Sequence, residues 1–272
     1  VTLPTQTALD LRHAAAAGIV REAGAKALDF FKRRHELVIE HKGTQDVVSI
    51  ADRAAEDHIV GALQRLFPED RILGEEGGFR GGDGECCWII DPIDGTSNFL
   101  HGIPHWCVSV GMTVGKTIEI GLVYDPNTDE LFSARRGQGA YRNGAKMAVS
   151  GVNDTQKARF GFGYSFRRDH AVTVEAITRT LAAKSEWIRG ASGTLGLTYV
   201  ADGRSDGYWE HHINAWDVAA GLLLVTEAGG TVNDFFAGNG LHEGNEIICA
   251  TPDLFNHLAS LTGYDKRGGS GV

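Results

Sequence analysis

The chain has 272 residues, 42% of them hydrophobic and 22% charged, and carries a formal net charge of −9. These values fit a soluble globular protein of one large domain or two lobes sharing a core, and they argue against an extended basic face for nucleic acid. No run approaches the roughly 18–20 apolar residues of a membrane span. The four cysteines, Cys86, Cys87, Cys107 and Cys249, show no CxxC spacing, which points to reduced, buried thiols in a cytoplasmic protein and away from a disulfide framework or a zinc site.

Residues from about 7 to 33 place Leu11, Ala15, Ile19, Ala23 and Ala27 at four-residue spacing, followed by Phe30 and Phe31, and predict one apolar helix stripe. Acids inside this stretch, with no basic region before it, make it an amphipathic helix and not a signal peptide. "HKGTQDVVSIAD" (41–52) reads as a loop or short hairpin. A second helix is predicted from about Asp52 to Phe67, with Ala55, Ile59, Leu63 and Leu66 on one side, Asp52 as N-cap and Pro68 closing the region. "RILGEEGGFRGGDGE" (71–85) reads as a short apolar strand and then a glycine-rich loop. Strands follow at 86–91, 106–114, 117–124 and 130–134, with turns at Gly115-Lys116, "DPNTDE" and Asn143-Gly144. The second half predicts helices at about 170–183, 193–202 and 216–228, strands near 186–189, 206–210, 231–235 and 246–250, and a last helix from near Pro252. The first half is thus two helices and a mostly antiparallel sheet, and the second an α/β layer. The change of pattern near 150 divides an N-terminal α+β lobe (1–148), with most of the candidate metal ligands, from a C-terminal α/β lobe (149–272) with the substrate pocket and the last ligand.

The chemistry concentrates in a few acids. In "WIIDPIDGTSNF" (88–99), Asp91 and Asp94 flank a proline turn at the end of an apolar run. Magnesium prefers oxygen ligands in octahedral geometry, and two carboxylates with the Ile93 carbonyl could share one ion. Gly95 and Thr96 could turn their amides toward a phosphate. A helix cap and an ordinary turn explain the same residues equally well. Glu75 and Glu76 in "LGEEGG", Asp217 in "NAWDVAAG", and Lys42, Asp46 and Asp52 in "KGTQDVVSIAD" read singly as loop or cap residues. Cys107, Trp88, Trp106 and Trp216 read as core, and Arg167 and Arg168 as surface charges.

Together these segments carry a resemblance. "GEE" (74–76), "DPIDGTSNF" (91–99) and "WDVAAG" (216–221) resemble, in order and rough spacing, the three signature segments of the inositol monophosphatase family, which are magnesium-dependent, lithium-sensitive phosphomonoesterases. "KGTQDVVSIAD" is similar to the family's mobile loop, residues 124–144 to its central hairpins, and "VADGRSDGYWE" (200–210) to the stretch before its last acid, so the similarity runs from about 8 to 260. The resemblance implies a layered αβαβα sandwich, α+β then α/β, shared with fructose-1,6-bisphosphatase. It implies two to three Mg²⁺ ions: one on Glu75, Asp91 and the Ile93 carbonyl, one on Asp91, Asp94 and Asp217, and a weaker one on Glu75 and Asp46. It implies that Thr96 and Asp52, with Glu75 nearby, orient a metal-activated water. The amides of Gly95 and Thr96, beside Ser97, would hold phosphate, and Lys42, Ser192, Gly193 and Glu210 would face the substrate.

The implied activity is hydrolysis of a small polyol or sugar phosphate monoester, foremost inositol 1-phosphate, by a cytoplasmic homodimer. The residues leave histidinol phosphate and fructose 1,6-bisphosphate open as substrates. A regulatory, RNA-associated role is the alternative of another class, which net charge −9 disfavours. The short loop at 79–85 argues against the phosphoadenosine phosphatase branch, and Ala191 stands where the family often has glycine.

Overall fold

The computed structural model describes residues 4–36, 39–43, 46–165 and 167–267, with backbone alone at 36, 39–43, 46–49 and 266. In chain order the elements begin with α1 (Gln6–Lys32), β1 (Ile39–Gly43), β2 (Asp46–Ser49), α2 (Ile50–Leu66), β3 (Arg71–Gly74), β4 (Gly78–Gly81), β5 (Cys86–Asp94) and α3 (Thr96–His101). The central hairpins are β6 (Cys107–Val114), β7 (Thr117–Asp125), β8 (Glu130–Arg135), β9 (Gly139–Arg142) and β10 (Ala145–Lys146). Then come β11 (Arg159–Phe162), α4 (His170–Ala182), β12 (Glu186–Ile188), α5 (Gly193–Ala201), β13 (Gly207–Ile213), α6 (Ala215–Glu227), β14 (Thr231–Val232), α7 (Gly240–Glu243), β15 (Asn245–Ala250) and α8 (Phe255–Thr262).

Eight strands form the first sheet in the order β10-β9-β8-β7-β6-β5-β3-β4, antiparallel except where β3 runs parallel to β5. One face buries Trp88, Ile90, Val108 and Val110 against Ile19, Val20, Ile59 and Leu63 of α1 and α2. The other buries Ile89, Cys107 and Val123 against α5 and α6, whose far sides meet the second sheet through Tyr208, Ile247 and Cys249. That sheet, β12-β11-β13-β15-β14, is closed on its outer face by α4 and α8 around Phe160, Trp209 and Leu258. The layers are therefore α1α2, sheet, α5α6, sheet, α4α8: the αβαβα sandwich. The α6 helix lies close on the first sheet because Gly111 and Gly121 face each other across β6 and β7. A Cβ on Gly111 would stand 2.9 Å from the Ala219 methyl, and one on Gly121 would stand 2.6 Å from the Ala220 carbonyl oxygen.

Several sequence expectations need correction. Leu11 is 63% exposed, and the buried line of α1 is Leu9, Ala16, Ile19, Val20, Ala23 and Ala27. A strict four-residue repeat drifts about 40° per step against the 3.6-residue helix, so Leu11 and Ala27 cannot share a face. The second helix begins at Ile50, which puts Asp52 in its first turn and not at the N-cap. The glycine-rich stretch after β3 is not all loop: β4 pairs back on β3 from Arg71↔Gly81 to Gly74↔Gly78. The second-half sheet is mixed, with β11 parallel to both β12 and β13 while β15 is antiparallel to β13 and β14. The last helix starts at Phe255, after a turn at Pro252. All four cysteines are free and buried, as their spacing implied.

Candidate metal centre

Register brings the acids together. Parallel pairing of β3 on β5 sets Gly74 beside Ile90, and the Glu75 N–H continues the ladder to the Ile90 carbonyl at 3.1 Å, so Glu75 arrives next to Asp91. Residues three apart on a regular strand face opposite sides. Here Asp91 pairs with Ser109 and Asp94 with Cys107, so β5 spends one more residue than β6 across this interval. The extra residue is a β-bulge, in keeping with a proline that has no N–H to offer the ladder. It turns both carboxylates to the α6 side, while the Ile93 side chain packs oppositely against Ala27, Ala51, Phe99 and Trp106.

The α6 helix delivers Asp217 to the same point. One ligand oxygen each from Asp91, Asp94 and Asp217 lies within 4.8 Å of the others. Asp217 is also a capping residue: its Oδ2 accepts the Asn214 N–H at 3.0 Å. Cap and candidate ligand are thus one residue. Burial pushes the Asp91 carboxyl well above the usual carboxylate range, and the charges of Glu75, Asp94 and Asp217 push it further. Asp94 is raised by burial despite donors from Ser192, Thr194 and Gly193. Asp217 is raised to about 7 by burial and by Asp94. Like charges crowded in this way are what a hard cation relieves. The donor set is carboxylate oxygen, which suits magnesium or a similar ion better than zinc, so the residues present fit Mg²⁺.

The other expected residues divide. Thr96 opens α3, and its hydroxyl lies 3.0 Å from the Ile93 carbonyl and 3.4 Å from Asp52 Oδ1. Gly95 precedes it with φ 96°, and Ser97 is exposed on α3. Glu210 is buried on β13, within electrostatic reach of Asp94 and Asp217. Ser192 and Gly193 lie beside the cluster: the Ser192 hydroxyl and the Gly193 amide, the latter at 3.3 Å, donate to Asp94. The Lys42 and Asp46 side chains lie outside the described residues.

Further residues support the cluster; of these, Thr194 belongs to the segment the resemblance places at the pocket, whereas Glu56 and Asn98 went unrecognised in the sequence. The Thr194 N–H donates to Asp94 at 2.8 Å, and its hydroxyl to the Asp217 carbonyl at 2.7 Å. Glu56 follows Asp52 by one turn on the buried face of α2; its carboxylate accepts the Glu76 N–H at 2.9 Å and pairs with Arg80, which fixes the turn carrying Glu75. A buried acid at i+4 from Asp52 was the available signal. The Asn98 Nδ2 reaches the carbonyls of His105 at 2.7 Å, Gly190 at 2.8 Å and Ala191 at 3.3 Å, latching the segment ahead of Ser192.

That latch holds Ala191 at φ 61°, a left-handed conformation that costs an L-residue roughly 1–2 kcal/mol. Ala191→Gly is expected to raise the melting temperature by roughly 2 °C. A melting temperature that stays put or falls would show that the alanine carries no strain.

The layers and the carboxylate cluster define an αβαβα protein with a candidate cation centre where the first sheet meets α6. Residues 12–263 match the model described as the inositol monophosphatase family, and the chain belongs to that family. It is 40% identical over 245 residues to the Nus factor SuhB of Pseudomonas aeruginosa, covering 88% of this chain and 90% of that one. It is also 40% identical over 245 residues to the inositol-1-monophosphatase of Rhizobium meliloti, covering 89% and 92%. Among solved structures it superposes on the extragenic suppressor protein suhB of Bartonella henselae with a TM-score of 0.85 at 34% identity, covering 90% of this chain and 95% of that one. No described helix is long and apolar enough to cross a membrane.

Proposed function

We propose that the protein is a Mg²⁺-dependent phosphatase of small polyol or sugar phosphate monoesters, with inositol 1-phosphate as the leading substrate. The observation that carries this reading is the cluster of Asp91, Asp94 and Asp217, whose ligand oxygens lie within 4.8 Å of one another beside Glu75. Those four carboxylates and the Ile93 carbonyl would hold two to three ions. When bound, Mg²⁺ supplies charge neutralisation at phosphoryl oxygens and acidifies water. The chain's own residues do the rest. The Thr96 hydroxyl and Asp52, joined across 3.4 Å, accept and orient the attacking water. The Gly95 and Thr96 amides receive phosphate oxygens, and Glu210 accepts hydrogen bonds from hydroxyls of the leaving alcohol. Lys42 and Asp46 belong to this reading as residues of the β1–β2 hairpin.

A panel of inositol 1-phosphate, histidinol phosphate, fructose 1,6-bisphosphate and glycerol 2-phosphate, with and without Mg²⁺, tests the reading. The expected result is Mg²⁺-dependent release of phosphate, fastest from the inositol ester and inhibited by Li⁺. Hydrolysis unaffected by chelation, or none from any ester, would sink it.

The similarity to chains named Nus factor SuhB favours a second reading, a regulatory role like the one that name describes. Full cellular function in a chain lacking a metal-cluster carboxylate would favour that role over catalysis.

A further inference from the structure

Tyr208 and Glu210 alternate with Trp209 on β13 and so face the same side of the second sheet. The Tyr208 hydroxyl donates to Glu210 Oε2 at 2.8 Å. The tyrosine ring occupies a slot that glycines clear from two elements. On β11 and just beyond it, a Cβ on Gly161 would stand 2.9 Å from the ring, and one on Gly163 would meet both the Tyr208 hydroxyl and Glu210 Oε2. On α5, a Cβ on Gly196 would collide with the ring edge, and one on Gly193 would sit 3.7 Å from the hydroxyl. Four glycines around one ring are more than packing alone asks for, since any apolar side chain of matching volume would fill a core site. What the slot adds is a fixed hydroxyl at the end of a rigid ring, aimed at one oxygen of a buried carboxylate.

The slot also borders the cluster. The Gly193 amide that flanks the ring donates to Asp94, so the segment shaping the tyrosine's environment also holds a candidate ligand. Among the described residues no hydrogen bond reaches Glu210 Oε1. With Oε2 occupied by tyrosine and packed on Gly163, the carboxylate plane is set and Oε1 is the oxygen left to meet a ligand.

We propose that Tyr208 is a positioning residue for alcohol recognition: it fixes the Glu210 carboxylate so that Oε1 receives hydroxyl groups of a polyol phosphate. This rests on the phosphatase reading above and adds the element that sets its preference for hydroxyl-bearing leaving groups. A polyol offers donors to such an oxygen, whereas an aryl leaving group offers none. The hydroxyl of Tyr208 is given to Glu210 and not to a candidate metal ligand, so its effect falls on substrate choice.

The test is Tyr208→Phe, which keeps the ring in its slot and removes only the hydroxyl. The quantity to read, at about pH 8.5 and so above the value of about 8 to which burial lifts Glu210, is kcat/KM with Mg²⁺ for inositol 1-phosphate divided by that for p-nitrophenyl phosphate. The ratio is expected to fall roughly tenfold, the size of losing one hydrogen bond to a charged group, with the change in KM for the inositol ester. In a Glu210→Gln background, adding Tyr208→Phe is expected to change the ratio less than about twofold, because the two residues act as one unit. Proportional losses on both esters would reduce Tyr208 to a packing residue and overturn the inference. So would an unchanged ratio, or a tenfold fall repeated in the Glu210→Gln background. Wild-type protein that hydrolyses neither ester would overturn the phosphatase reading and this inference together, whereas normal wild-type turnover with an unaltered variant ratio overturns this inference alone.

Discussion

Asp217→Asn is expected to cut Mg²⁺-dependent turnover at least about a thousandfold, about 4 kcal/mol of barrier, while raising the melting temperature of the metal-free protein. The two effects share one cause. Asp217 brings a charge to within 4.8 Å of the Asp91 and Asp94 oxygens, and burial and that crowding raise its pKa to about 7. Without an ion the charge repels its neighbours; with one, it is a ligand that a neutral amide replaces poorly. The substitution keeps an oxygen for the Asn214 N–H, which Asp217 Oδ2 accepts at 3.0 Å, so the start of α6 should stay capped. Activity assays at saturating substrate and thermal melts in chelator check both halves. A variant that turns over like wild type removes Asp217 from the mechanism. One that is inactive but less stable than wild type without metal would mean that α6 has lost its cap and that the charge explanation fails.

Metal-free protein is expected to lose stability as pH rises from about 6.8 to 8.5, and Mg²⁺ is expected to restore most of it. In the unfolded chain a glutamate releases its proton near pH 4; folded, Glu210 holds it to about 8 because the group is buried near Asp217 and Asp94. Over that interval the folded state binds more protons than the unfolded one, so unfolding free energy falls with pH. This contribution is fully present below about pH 4 and is lost as pH passes 8. Asp217 adds in the same direction up to about 7, discounted because it is partly open to solvent. The buried histidines oppose it only lower down. His13, His105, His211, His212 and His257 are all depressed by burial, and their contribution is complete above about pH 6.5. The net fall should be roughly 2 kcal/mol, or a melting temperature lower by roughly 5 °C. Mg²⁺ binds the ionised cluster, so its stabilisation should be larger at pH 8.5 than at 6.8. Melts in chelator that are flat or rise across this range, or a Mg²⁺ shift larger at the lower pH, would reject the assignment of Glu210 and the cluster as the groups that titrate.

Much of the site could be read from residue types in order, because "GEE", "DPIDGTSNF" and "WDVAAG" each place an acid at an element boundary. Why the acids converge could not. Asp91 and Asp94 share a side only through a bulge, and a bulge is a property of two strands, invisible in either alone. The bonds by which Ser192 and Gly193 hold Asp94 span 98 and 99 residues of sequence, and no local pattern announces them. Nothing singled out Glu56 or Tyr208, because periodicity reports burial and not which polar atom is being buried. Leu11 failed for the opposite reason, since the repeat that suggested it was too regular for a helix. The five-layer stacking came with the family resemblance, whereas an antiparallel first half and an α/β second half were legible from the switch between hairpins and strand–helix alternation. The mixed second sheet was not, because its antiparallel member β15 arrives after the crossovers that suggest a parallel one.

The seat of α6 on the first sheet has a consequence in time. A chain emerging from a ribosome builds Gly111 and Gly121 about a hundred residues before Ala219 and Ala220. Until then the part of the first sheet's face that α6 covers, with Ile89, Cys107 and Val123, waits open, and exposed strands of that kind are prone to sticking. Asp91 and Asp94 sit at the edge of that open face through the same interval. The helix that completes the cover also carries Asp217, so the middle helical layer of the core and the last acid of the cluster are installed by a single docking event. A nascent chain therefore has no stage at which the cluster is complete but the sheet is bare.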